Sequence, residues 1–75
     1  MTLDEFVSAF AAEFDETPED QFKAVTEFKN LEEWSSLTAL SIIAMIDEQM
    51  DKTVTGADIR ASKTIEDLFN LANSK

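Results

Sequence analysis

The sequence predicts an all-α fold: a four-helix bundle of three main helices and one short third helix, with a long first loop. Three observations predict it. The 75 residues include one glycine (Gly56) and one proline (Pro18), too few turn-formers for hairpins. Apolar residues recur at helical spacing in stretches beginning near Leu3, Leu37 and Ile65. Each of those stretches follows a Ser or Thr able to cap a helix. A chain this short makes one domain, 1–75, near the lower limit for a core without staples.

Taken in order, Thr2 is the N-cap of the first helix and Glu5 completes a capping box. Leu3, Phe6, Val7, Phe10, Ala11 and Phe14 form its core stripe, and Asp4 and Glu5 suit the positive end of the helix dipole. The acidic run Asp15-Glu16-Thr17-Pro18-Glu19-Asp20 stops it and opens a connection that lasts to Trp34. Phe22, Val25, Phe28 and Leu31 recur every third residue there, predicting a turn or two of helix docked on the bundle. Ser35 or Ser36 caps the second helix, which runs to Met50 or Asp51. At about 100° per residue, Ala39, Ile42, Ile43, Ile46 and Met50 fall on its core side. Leu37, Ser41, Ala44, Glu48 and Asp51 fall opposite, with Leu40 and Asp47 on the rim and Met45 and Thr38 between the two sides. Leu37 is thus an apolar residue facing water. Val54 is an isolated apolar anchor, Thr55 and Asp58 box a short turn through Ile59, and Thr64 caps a last helix from Ile65 to about Ala72. Ile65, Leu68, Phe69 and Ala72 face inward from it.

Composition excludes several kinds of chemistry. Without cysteine there are no disulfides or thiolate metal sites, and without histidine there are no imidazole ligands and no Ser-His or Cys-His pairs. A conventional active site is not expected, so the chain is read as a non-enzyme. The apolar fraction of 44% is that of a folded protein despite the charge. A net charge of −10 disfavours nucleic acid and anionic lipid as partners and favours basic protein surfaces. Charge of this size also keeps a small domain soluble and monomeric. No apolar run reaches the roughly 20 residues of a membrane span, and Met1-Thr2-Leu3-Asp4-Glu5 lacks the basic flank of a signal peptide, which predicts a cytoplasmic protein.

An EF-hand counted from Asp51 puts Gly56 at the sixth position but Thr53 and Thr55 at the third and fifth, and Ser62 where a bidentate Glu is needed. The pattern is rejected. Glu32-Glu33 and Asp47-Glu48 are sequence neighbours that do not face each other on a helix, so they read as solvated surface. The informative stretch is Leu31-Glu32-Glu33-Trp34-Ser35-Ser36-Leu37-Thr38. One serine suffices to cap a helix. The other is left with its hydroxyl at the positive helix end, where a phosphate ester is stabilised.

With these residues in view, the chain resembles the acyl carrier protein family over nearly all its length. The family's attachment signature, Asp-Ser-Leu at the start of the second helix, reads Ser35-Ser36-Leu37 here, preceded by Trp34 as in some branches. The similarity continues through Leu40, Ile43, Ile46, Asp47-Glu48 and Met50, and resumes at Val54 and Thr64-Ile65. The resemblance implies a 4'-phosphopantetheine arm, taken from coenzyme A by a phosphopantetheinyl transferase and attached covalently to Ser36. It implies that acyl groups ride on the arm's thiol as thioesters, for fatty-acid or specialised, polyketide-like synthesis. It also implies that the second helix meets basic patches on acyl-transferring or condensing enzymes. By position that role passes to Leu37, Asp47, Glu48 and Asp51, with Ser35, Leu40, Ser41 and Ala44 alongside. Phe6, Ile42, Ile46 and Leu68 would line a cavity for the acyl chain.

The chain also departs from the family. Ser35 replaces the usual Asp, which in the family helps hold the transferase's metal ion, and Thr38 and Ser41 stand where acids are common. Most negative charge lies upstream instead: residues 1–33 hold ten acidic and two basic residues, a net of −8. That points to partners unlike those of a housekeeping fatty-acid carrier. Ser62, where the family often has an apolar residue, predicts a looser third-helix region. Two other readings remain: a carrier-like interaction module that is never modified, and an acidic helical protein that mimics nucleic acid by its charge.

Overall fold

The computed structural model describes residues 1–75, all helices and loops. Helix α1 spans Leu3–Ala11, α2 Ser36–Met50, α3 Gly56–Ala61 and α4 Ile65–Asn73, and two short 3-10 turns, Glu19–Gln21 and Phe28–Asn30, lie in the first loop. Local sequence explains the starts. Thr2, Thr55 and Thr64 each receive the amide of the residue three places on, while Glu5, Asp58 and Asp67 reach back to the capping residue's own N–H. Asp51 closes α2 with a left-handed backbone, φ 55°, as helix ends often do. No helix is long and apolar enough to cross a membrane.

Helix α1 packs against α2 and α4, and α3 packs against α4. Between them lies an aromatic core. Phe10 is central to it, with Phe28 edge-on at 5.4 Å, Phe14 stacked at 5.6 Å and Phe22 at 6.1 Å between ring centroids. Phe14 is buried although α1 has ended at Ala11, because two tight turns carry the chain on to it. The long loop is part of the bundle: the Ala24 and Thr26 carbonyls accept from Glu66 N–H at 3.0 Å and Ile65 N–H at 3.1 Å, the first two amides of α4. Helix-start amides have no partner within their own helix, so these bonds seat the loop where α4 begins. The radius of gyration is 10.9 Å. An ordinary folded chain of this length measures about 11 Å, so the loop adds no sprawl.

The structure corrects four expectations. Val25 is 72% exposed and does not dock, although Phe22 and Phe28 on either side are buried. Met45 is buried with Ile42 and Ile46, while Ala39, Ile43 and Met50 are only partly covered. The core side of α2 is therefore turned by roughly 60° from the predicted direction at 100° per residue. Ser62 is 2% exposed, and its hydroxyl donates to the Asp58 carbonyl at 3.0 Å, so it closes the end of α3 instead of loosening it. Glu33 is half-buried and fully engaged, and is no solvated carboxylate.

Candidate functional site

The start of α2 is fixed before the helix begins. Trp34 lies edge-on to Phe28 at 4.9 Å and stacks at 6.4 Å on both Phe10 and Phe14, which ties the residue before the cap to the core. Glu33 ties it to the end of α1. Its carboxylate accepts from the backbone N–H of Asp15 at 2.8 Å, Glu16 at 3.0 Å and Thr17 at 2.8 Å, and from the Thr17 hydroxyl at 2.7 Å. The Thr17 hydroxyl, with those amides, holds the Glu33 carboxyl below its ordinary range. The Glu33 carbonyl in turn accepts from the Thr38 hydroxyl at 2.9 Å. No local pattern in the sequence announces this clamp, since its partners lie 16 to 18 residues away.

Ser35 and Ser36 divide the work between them. Ser35 is the N-cap: its backbone is extended and its Oγ receives the Thr38 N–H at 3.3 Å, with the Thr38 hydroxyl at 3.2 Å. Ser36 is the first residue of the helix proper, exposed, and its hydroxyl makes no hydrogen bond within the chain. The side chain left over is therefore Ser36.

Beside it opens a hollow of about 300 Å3. Lys29 and Trp34 of the first loop, Ser35, Ser36 and Ala39 of α2, and Gly56, Ile59 and Arg60 of α3 line it. A larger hollow of about 680 Å3 lies over the Glu33 clamp, between Thr17 and Leu31, and a third of about 250 Å3 lies beside Ala11 and Phe14. The outer side of α2 presents Leu37, 76% exposed, and Leu40, 61% exposed, with Ala44, Asp47, Glu48 and Asp51 in solvent and Ser41 half-covered. Leu40 and Asp47, expected on the rim, stand in the middle of this face because the helix is turned.

Phe6, Ile42, Ile46 and Leu68 come together in the core, all with no exposed surface, and none of them lines a hollow. The shelter expected among them is filled by their own side chains. A guest there would have to part a close-packed interior.

Ser36 is thus an exposed hydroxyl with a hollow at its side. Comparison of the chain with protein-family models, with curated proteins and with solved structures finds no match.

Proposed function

We propose that this chain is an acyl carrier protein that bears a 4'-phosphopantetheine arm on Ser36 and has no catalytic activity of its own. The observation that carries the reading is the spare hydroxyl. Capping consumes Ser35, while Ser36 stands exposed and unbonded at the next position. The Ser36 Oγ would form a bond to the pantetheine-side phosphorus of coenzyme A. The pyrophosphate link would break, releasing adenosine 3',5'-bisphosphate, and the serine proton would pass to a base on the transferase. The arm, once attached, supplies the thiol that holds acyl groups as thioesters, a sulfur this cysteine-free chain lacks.

The chain's own residues do the presenting. Trp34 and Glu33 fix the approach to α2, Ser35 satisfies the helix amide, and Leu37 and Leu40 offer an apolar contact beside Asp47 and Glu48 for a basic partner surface. Incubation with coenzyme A and a broad-specificity phosphopantetheinyl transferase, read by intact mass, tests the proposal. The expected result is a mass gain of one arm in the wild type and none in Ser36→Ala. No gain, or a gain that survives Ser36→Ala, refutes it.

A second reading, an unmodified carrier-like interaction module, draws on the same exposed Leu37 and Leu40 and on Ser35 in the place of the family's Asp. Recovery of the arm-bearing form from native cells would end it.

A further inference from the structure

The hollow beside Ser36 runs against the charge of the chain. The protein has 16 acidic and 6 basic residues, yet the lining of this hollow includes two cations, Lys29 and Arg60, and no acid. The hollow over the Glu33 clamp is the reverse, with Glu16, Glu32 and Glu33 and no cation.

Each cation is placed by something specific. Lys29 Nζ donates to the Arg60 carbonyl at 2.9 Å and lies 6.0 Å from the centre of the Phe28 ring. This bond ties the first loop to the C-terminal end of α3 and uses one of the three ammonium donors. Arg60 folds back along α3 over Gly56. Its Nη1 lies 3.4 Å from where a β-carbon on Gly56 would stand, an ordinary contact distance that sets the guanidinium against the start of α3. The chain's one ion pair joins Lys75 to Asp58, and the Arg60 guanidinium has no partner among its side-chain hydrogen bonds. In a chain with ten excess negative charges, Arg60 is thus an unpaired cation in a hollow without an acid.

We propose that Arg60, with Lys29, binds the phosphate of the arm on Ser36 and draws the base of the arm into this hollow. The inference rests on the carrier reading of Ser36. A guanidinium fork matches two phosphate oxygens, which a single ammonium cannot do. An exposed ion pair is weak on its own. Attachment at Ser36 makes the contact intramolecular, at an effective concentration of order millimolar or above, so weak affinity suffices. Because Lys29 already bridges to α3, arm binding at this point also steadies α3 against the first loop.

The test uses the loaded protein, with loading checked by mass in wild type, Arg60→Ala, Arg60→Lys and Lys63→Ala, the last a cation outside the hollow. The readouts are the phosphorus-31 shift of the phosphodiester and the amide shift of Gly56, each followed from low to high salt. Wild type and Lys63→Ala are expected to show the same salt-dependent movement of both signals, as screening releases the phosphate. Arg60→Ala is expected to lose most of it, and Arg60→Lys to keep part through its charge. The same salt-dependent movement of both signals in loaded wild type and Arg60→Ala would overturn this inference and leave the carrier reading standing. No mass gain in any of the four proteins would remove both.

Discussion

Exchanging each serine of the pair for alanine separates the cap from the proposed carrier hydroxyl. Ser35→Ala removes the oxygen that receives the Thr38 amide. Loss of a Ser N-cap costs about 0.5–2 kcal/mol. The bond here is 3.3 Å, beyond the usual range for N–H···O, which places the cost near the lower end, at about 0.5–1 kcal/mol. In a domain of this size 1 kcal/mol moves Tm by about 4–8 °C, so Ser35→Ala should melt roughly 2–8 °C below wild type. Ser36→Ala removes a hydroxyl bonded to nothing, at a helical position where alanine is the better helix former by up to about 0.5 kcal/mol. Its melting should match wild type or exceed it by up to about 4 °C. Thermal unfolding by circular dichroism, with all three proteins in one buffer, measures the difference. If Ser36→Ala loses as much as Ser35→Ala, both hydroxyls serve the helix start and neither is spare.

Other outcomes follow from the packing and the charges. In urea, Val25→Ser should change stability by less than about 0.5 kcal/mol, whereas Phe28→Ala, in the same loop but fully buried, should lose about 3–5 kcal/mol; comparable losses would mean that the loop packs differently. The Glu33 carboxyl is held below its ordinary value of 4.5 in the folded chain, chiefly by the Thr17 hydroxyl and then by three backbone amides. Its contribution to stability is therefore complete above that value and lost as pH falls below it through the lowered one. Glu33→Gln should melt lower than wild type at neutral pH and lose less on acidification below about pH 4.5, and parallel pH curves would contradict the clamp. Charge reversal in Glu48→Lys, on the exposed face of α2, should raise the transferase KM up to about fivefold at low salt with Tm unchanged. An unaltered KM would take that face out of the encounter.

What could be read from the sequence was what is local. The capping boxes of Thr2 with Glu5 and of Thr55 with Asp58, and the Thr64 cap, close over three residues, so the pattern and the geometry coincide; the return bond from Asp67 to Thr64 is added by the structure. The Phe6, Phe10 and Phe14 stripe was legible because one side of α1 is apolar and the other is not. Helix α2 is different. Leu37, Leu40, Ala44 and Met45 put apolar residues on nearly every side, so the period defines the axis clearly and its inward direction poorly. That is why Met45 was misplaced and Leu40 left on the rim. Val25 was misread because a three-residue period assumes continuous helix, whereas the loop has only two separate 3-10 turns and its Ala24 and Thr26 carbonyls are turned toward α4. Glu33 and Ser62 were out of reach for another reason: a carboxylate or hydroxyl looks solvated until its partners are known. The partners of Glu33 are set by the folded loop, and Ser62 finds the Asp58 carbonyl only once α3 has formed. The spare serine was legible as one of two, and the structure resolves which one.

Site-resolved mass spectrometry of the protein purified from its own cells tests the central claim most directly. The peptide that spans Glu33 to Met50 contains both Ser35 and Ser36, and fragmentation distinguishes them. The account predicts a phosphopantetheine group on Ser36 and none on Ser35. A bare peptide in every preparation, or an arm on Ser35, would contradict it.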